Sequence, residues 1–532
     1  MGGLLQAALL LAACAEKEAP AAEVAAEVRT LASVDAGREP SPEPLEPTGP
    51  PKKLFAKRFV AKVRVAPKKE AFRIGYLRGG SILMGKTAEP VGFDKCRKGW
   101  FELETGGFIC STLDVIPFLG RRPPERRALQ PDLEALLPYP YGYSRRANTP
   151  VYKRLPNDVE AALYEGYKIP GKRVLELVDG GVAVLDDLPE PEVAAVEPIQ
   201  APQEAGAPGS GEEEAEKPVP TLESLQGKQD SVLLRRMERG FYVSLDREMK
   251  KGRRKYWRTQ ANGFIPHRRL LPVKGSKFSG AMLVEPEPLQ LPDAGTAEPV
   301  AGPPRLPLGY VMSSKHSAYR LNDRGKLRRE RKKPGYHHRF NIVGEVEIRD
   351  RGYWIADDGR HYRKKDTRRI DHRDKPKEIQ DGEKWLDINL DTQSLVAYEG
   401  ERPIFATLVS TGRVKDPLDP LKNFETPTGG FRITSKHLTA TMDGDHALDG
   451  PYSIEDVPYV MYFQLAYALH SAFWHNTFGR PRSHGCINLA PADARFVFNW
   501  ATPSLPRGWH GIYPTEEVPG TRLYIRGKTP EG

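Results

Sequence analysis

The sequence predicts a mainly β chain made of several small domains, and three observations carry that prediction. Short runs at 72–76, 240–245 and 385–390 alternate polar and apolar residues with a period of two, the pattern of strands with one face buried. Turn formers punctuate these runs, with 49 glycines and 49 prolines in the chain. Only 39% of the 532 residues are apolar, and so long a chain exceeds one ordinary core, so three or four domains strung on linkers are expected.

The N-terminus reads as an export signal. MGGLLQAALLLAA holds an apolar run and ends at Cys14; the run is too short to span a bilayer and fits the h-region of a secretory signal. Leu11-Ala12-Ala13-Cys14 resembles the bacterial lipobox, which implies residues 1–14 as a lipoprotein signal with Cys14 lipidated. No Lys or Arg precedes the run, a departure from the usual signal. The Ala/Glu/Pro-rich stretch 15–54 is expected to be a disordered tether. The chain is therefore expected in the cell envelope, lipid-anchored to a membrane and facing the periplasm. Disulfides persist there, and Cys96 and Cys110 flank an expected hairpin, so they are expected to pair. That leaves Cys486 as a lone thiol.

Between the N-terminus and residue 372 a motif recurs. Trp100-Phe101 precedes Gly107-Phe108-Ile109, Tyr256-Trp257 precedes Gly263-Phe264-Ile265 at the same distance, and Tyr353-Trp354 precedes Gly359. Each is an aromatic pair on a strand, a polar turn and a Gly-led return. The pattern resembles the bacterial SH3-like barrel over 55–120, over 145–275 with an inserted acidic linker at 189–220, and over 309–372 as a possible third copy. The Pro-rich stretch 276–308 is expected to be a linker. Net charge is +10, with basic residues clustered at 250–258 (KKGRRKYWR) and 324–339. Such clusters attract an anionic polymer or membrane surface; nucleic acid is not an expected partner of an exported, anchored chain.

From Lys384 the pattern changes. Alternation at 385–390, 395–398 and 404–409 predicts a β-meander ending at Ser410-Thr411-Gly412. Thr426-Pro427-Thr428-Gly429-Gly430 is a turn, residues 459–463 read as another strand, and Pro491 marks a helix start. Cys486 sits in Ser483-His484-Gly485-Cys486-Ile487-Asn488. A thiol near its ordinary pKa of about 8.5 is only a few per cent thiolate at neutral pH, so attack on an amide needs an imidazole nearby. His470, closing an apolar strand, and His484, two residues from the thiol, are the candidates. Gly485 permits an unusual backbone angle, so the amides of Gly485 and Cys486 could face a developing oxyanion.

His470-Ser471-Ala472 together with 483–488 resembles the active-site signature of the L,D-transpeptidase (YkuD-like) family, over about 380–528. The resemblance implies a β-sandwich-like catalytic domain with Cys486 as nucleophile and His470 as general base, oriented by the carbonyl of Ser471. It assigns Ser483, His484 and Gly485 to the oxyanion loop and Asn488 to its support or to substrate contact; Tyr459 joins the substrate-binding candidates. Two departures stand out: the spacing from His470 to Ser483 is short, and many members carry Arg where this chain has Asn488.

The implied partners are peptidoglycan stem peptides. Cys486 attacks the third residue of a donor tetrapeptide and expels D-alanine, and an acceptor amine resolves the thioester into a 3-3 cross-link. Attack by water would make a carboxypeptidase, and a lipoprotein amine would make a ligase. Other readings are a non-catalytic wall-binding lipoprotein, or a metallopeptidase using His470, His475, His484 and Cys486. The histidines are wrongly spaced for one helical face and no carboxylate is placed as base, so no metal or cofactor is expected.

Overall fold

The computed structural model describes residues 52–530 apart from 124–127, 187–218, 285–300, 323, 415, 417, 420–422 and 446–449. Cys14, the expected signal and nearly all of the tether lie outside the described residues, as do most of the acidic insertion and half of the second Pro-rich stretch.

Lys384–Asn389, Ser394–Glu399 and Arg402–Leu408 form the expected meander, each antiparallel to the next. Arg522–Arg526 runs parallel to the first strand, and Gly429–Arg432 pairs with Arg522–Arg526. The second sheet of this C-terminal domain contains a long hairpin, Ser435–Gly444 with Tyr452–Gln464, followed by Tyr467–Ser471 and Ile487–Leu489. Leu386, Ile388 and Leu395 from one sheet meet Met461, Leu469 and Ile487 from the other, and helix Pro491–Trp500 closes this core with Val497 and Phe498. The helix begins on the expected proline, whose missing N–H costs nothing in a first turn. Beyond its C-terminus, buried Lys436 donates to the carbonyls of Phe498, Ala501 and Pro503 at 2.6, 2.5 and 2.7 Å. A helix end otherwise leaves such acceptors unpaired.

All three aromatic-pair motifs are hairpins. Trp100–Glu102 pairs with Phe108–Cys110, Arg254–Thr259 with Phe264–Pro266, and Gly352–Ala356 with His361–Arg363. Cys96 and Cys110 are joined by a disulfide with 5.9 Å between Cα atoms.

Two expectations require correction. Residues 276–284 are not linker: Ala281–Met282 adds a sixth strand to the first sheet, beside Arg402–Leu408. Phe278 stacks on Phe478 with ring centroids 5.6 Å apart, and the Gly280 amide donates to Asp493. An exposed strand edge is thereby covered by the chain's own backbone.

The β-modules are also not beads on a string, since residues 50–532 form one compact unit. Arg73–Arg78 of the first module pairs with Gly511–Ile512, which continues into Ser435–Gly444. Any side chain on Gly75 would collide with Trp509 and the Gly511 carbonyl. Tyr242–Lys251 of the second module pairs in parallel with the long hairpin at Tyr242 and Ile454.

The two modules meet the hairpin at a buried carboxylate. Asp456, with a left-handed φ of 53°, pairs with Arg78 of the first module and accepts from Ser244 of the second. It also accepts from Thr439 of the facing strand at 2.8 Å, while its carbonyl takes the Tyr141 hydroxyl at 2.5 Å. Next along the strand, Glu455 pairs with Arg235 of the second module at 2.8 Å.

Candidate active site

The histidine strand, Tyr467–Ser471, and the strand after the cysteine, Ile487–Leu489, lie side by side in parallel, with His470 opposite Asn488 and Leu469 opposite Ile487. Alternation along strands puts Cys486, His470 and Asn488 on one face. The chain between the strands is held from several sides. His337 donates to the Phe478 carbonyl at 2.8 Å, Arg368 to the Gly479 carbonyl at 3.2 Å, and Arg480 to the Met312 carbonyl at 3.2 Å. Those partners belong to the third module. From the second module, Tyr141 and Tyr242 pack on Phe473.

Ser410-Thr411-Gly412 and Thr426 cradle the segment that carries Cys486. Ser410 and Asn488 exchange both backbone hydrogen bonds, and the amides of Arg482 and Ser483 donate to the Thr411 carbonyl. Thr426 receives the Gly412 amide and donates to the Gly485 carbonyl at 2.8 Å. Gly485 has φ 116°, and a side chain there would strike the Tyr467 ring, so the turn demands glycine.

His470 is buried, and its Nδ1 lies 3.1 Å from the Ser471 carbonyl. A carbonyl only accepts, so Nδ1 carries the proton and Nε2 keeps its lone pair. Burial depresses this imidazole to about pKa 4, opposed by the bond to Ser471, which keeps the ring neutral at physiological pH. Trp474 stacks on it at 5.7 Å.

Cys486 is half-buried beside Val457, Val460, Ala468 and Trp474. This apolar setting pushes the thiol up to about 11, with the Ala468 amide pulling the other way. The thiol donates to the Ala466 carbonyl at 3.7 Å rather than to His470. Sulfur and ring thus share a face without a direct hydrogen bond.

The remaining sequence candidates divide. Ser483 accepts from the Gly485 amide at 3.1 Å and donates to the Cys486 carbonyl at 2.5 Å. It staples the turn, and the Gly485 amide is thereby engaged internally rather than facing the cleft. His484 has other partners: its ring stacks on Tyr452 and meets Arg413 at 2.8 Å. Tyr459 does not reach the cleft. Its own left-handed φ of 56° turns it into the core against Phe498, where it is 1% exposed.

His475, named above only in the metallopeptidase reading, has a defined place. Its Nδ1 accepts from the Thr477 amide at 3.2 Å, so in the neutral ring Nε2 holds the proton. The Asn488 carboxamide lies 3.1 Å from that Nε2, and turning its oxygen inward satisfies the buried Oδ1 that otherwise lacks a partner. His475 therefore orients Asn488 beside His470. Trp474, stacked on His470, Tyr242, packed on Trp474, and the exposed Arg482, whose charge reaches His475, are neighbours of the site that sequence reasoning missed. Trp474 had a faint signal, an aromatic four residues past the histidine; Tyr242 had none, since it arrives from another module.

Residues 383–525 match the sequence profile of the YkuD family, the L,D-transpeptidase catalytic domain. No curated protein matches the chain. Among solved structures it is similar to a mutant L,D-transpeptidase of Enterococcus faecium, at 21% identity over 28% of this chain and 50% of that one, TM-score 0.21. It is also similar to an L,D-transpeptidase of Stackebrandtia nassauensis, at 22% identity over 29% and 60%, TM-score 0.20. A third, from Mycobacterium smegmatis, has 14% identity over 41% and 82%, TM-score 0.21. The chain thus spans half to three-fifths of the first two relatives' lengths. The segment that carries His470 and Cys486 is an L,D-transpeptidase catalytic domain of the YkuD family.

Proposed function

We propose that this chain is a peptidoglycan L,D-transpeptidase that forms 3-3 cross-links through a thioester on Cys486. The observation that carries the reading is the half-buried thiol on the same face as a neutral imidazole whose Nδ1–H is committed to Ser471. That ring can only accept a proton at Nε2, as a general base requires.

The steps follow from those groups. A bound donor peptide displaces the thiol from the Ala466 carbonyl. The sulfur then attacks the carbonyl of the third stem residue while its proton passes to His470. Collapse of the tetrahedral intermediate breaks the peptide bond, and His470 returns the proton to the departing D-alanine amine. The acceptor amine next attacks the thioester, loses a proton to His470 and releases the thiol. We assign oxyanion stabilisation to the Cys486 amide, since the Gly485 amide is already bonded to Ser483. Asn488 positions substrate beside His470, and Ser483 keeps the turn in shape. The expected lipid anchor at Cys14 would hold the enzyme at a membrane facing the wall, with the SH3-like modules as part of the enzyme's frame.

The test uses the full chain, because the loop between His470 and Cys486 is held by residues outside the catalytic domain. A carbapenem-type β-lactam should add its mass to the wild type and not to Cys486→Ser. Incubation with tetrapeptide-bearing strands should then yield cross-linked dimers. Tripeptides alone would assign hydrolysis, and an adduct that survives Cys486→Ser would overturn the nucleophile.

A further inference from the structure

The basic run 250–258 takes no part in the thiol cleft. Four of its members, Arg253 to Tyr256, instead line a cavity of about 570 Å³ in the second module, together with the turn at 266–268 and the end of helix Asp158–Glu165. That volume lies within the usual range of small-molecule sites and exceeds what a bare inorganic ion needs.

Its charges are arranged in two tiers. Glu165 is the cavity's acidic group, and its charge is already spent. Its side chain is 2% exposed, accepts from Tyr256 at 3.2 Å and from Tyr167, and pairs with Arg268 at 3.4 Å. Arg254 pairs with Asp158, and His267 with Glu248 at 3.1 Å. Arg253 and Lys255, by contrast, have no carboxylate partner among the described residues and are exposed. The Tyr167 ring lies between the Arg254 and Arg268 guanidinium groups, with centroid distances of 5.9 and 4.9 Å. Two paired arginines therefore line one concavity, and Arg253 and Lys255 add two exposed cations at its rim.

We propose that this cavity binds a phosphate or carboxylate group carried on a body of about sugar size. Unmatched positive charge in a concave site concentrates anions, and guanidinium groups suit the fork geometry of both oxyanions. Because a carboxylate and the Tyr167 ring already hold the partly buried Arg254, little of its side-chain freedom is lost on binding. The inference is independent of the chemistry at Cys486.

The test is calorimetric titration of the full chain at low salt with glucose 6-phosphate, with glucuronate, and with glucose as the uncharged control. Saturable binding of either anion, without binding of glucose, is the expected result. Preference for the phosphate would point to a phosphorylated polymer or headgroup, and preference for the carboxylate to an acidic glycan. The double variant Arg253→Gln/Lys255→Gln should weaken binding about tenfold, and Arg253→Gln alone about threefold. Arg324→Gln/Lys326→Gln, in the other basic cluster, should leave it unchanged. Absence of saturable binding, equal binding of glucose, unaltered binding in the double variant, or equal weakening in both double variants would overturn the proposal.

Discussion

Arg78→Met tests whether the modules and the catalytic hairpin are one mechanical unit. The methionine keeps most of the volume but leaves the Asp456 carboxylate buried without its cation. Removing one partner of a buried pair typically costs about 3–5 kcal/mol. Ser244 and Thr439 still donate to the carboxylate, so the lower end, about 3 kcal/mol at pH 7, is expected. The pH dependence separates this cause from lost packing. In the wild type, burial raises the Asp456 pKa, but Arg78 beside it, with hydrogen bonds from Arg78 and Ser244, outweighs burial and holds the carboxyl below its usual range. Its contribution is thus present above the unfolded value of about 3.9 and fades as pH falls through the lower folded value. In the variant, burial acts without that opposition, so the folded state prefers the protonated acid and its deficit shrinks from pH 7 toward pH 4. Neighbouring Glu455 keeps Arg235, and His510, held near pKa 3 by burial and then by Arg78, is still opposed by burial in its charged form when Arg78 is removed. Urea unfolding at several pH values gives the deficit, and amide exchange across Arg73–Arg78 and Gly511–Ile512 should rise first. A deficit below about 1 kcal/mol, or one constant from pH 4 to 8, would refute the reasoning.

His470→Ala should slow β-lactam acylation about 10²–10⁴-fold, read by mass spectrometry against time, while the wild-type rate should fall on acidification only near pH 4, where the imidazole protonates. In the free enzyme the raised thiol pKa of about 11 should make iodoacetamide alkylation at pH 7 about two orders of magnitude slower than for an ordinary cysteine. Gly485→Ala combines a left-handed backbone with a clash against Tyr467, so it should lose acylation and at least about 1 kcal/mol of stability, measured by thermal unfolding. Lys436→Met strands three buried carbonyls and should cost about 3 kcal/mol or more in the same assay.

The sequence made the meander readable because one face of each strand is buried and the alternation survives. It made the segment around Cys486 readable because Gly485, Cys486 and their neighbours are local. The long hairpin was largely hidden. In Tyr452–Gln464 the modules cover what would be the solvent face, giving a nearly continuous buried run from Glu455 to Met461, which loses the period of two. The left-handed residues Asp456 and Tyr459 then break whatever alternation is left, which is why Tyr459 was expected in the cleft and sits in the core. Ala281–Met282 is too short for any periodicity, and pairing of one strand edge with another is made by backbone groups that every sequence has. His475 was undervalued because its partner, Asn488, lies thirteen residues away and becomes its neighbour only when the two strands pair.

The thiol near 11 and the imidazole near 4 bear on how the resting site is kept quiet. Burial disfavours the charged form of each group, the thiolate of Cys486 and the imidazolium of His470. In the free protein the sulfur spends its hydrogen bond on the Ala466 carbonyl rather than on the ring. The mechanism proposed above then requires a substrate that occupies the face shared by Cys486, His470 and Asn488, displaces that bond and lets proton transfer accompany carbon–sulfur bond formation. The surroundings suit such a requirement. Trp474 and Tyr242 wall the histidine side, and the loop that carries Trp474 is fixed by carbonyl contacts from the third module. A donor that reaches only the sulfur, as a small alkylator does, meets an unreactive thiol, whereas one that also lies along this wall supplies the binding energy that brings sulfur to ring.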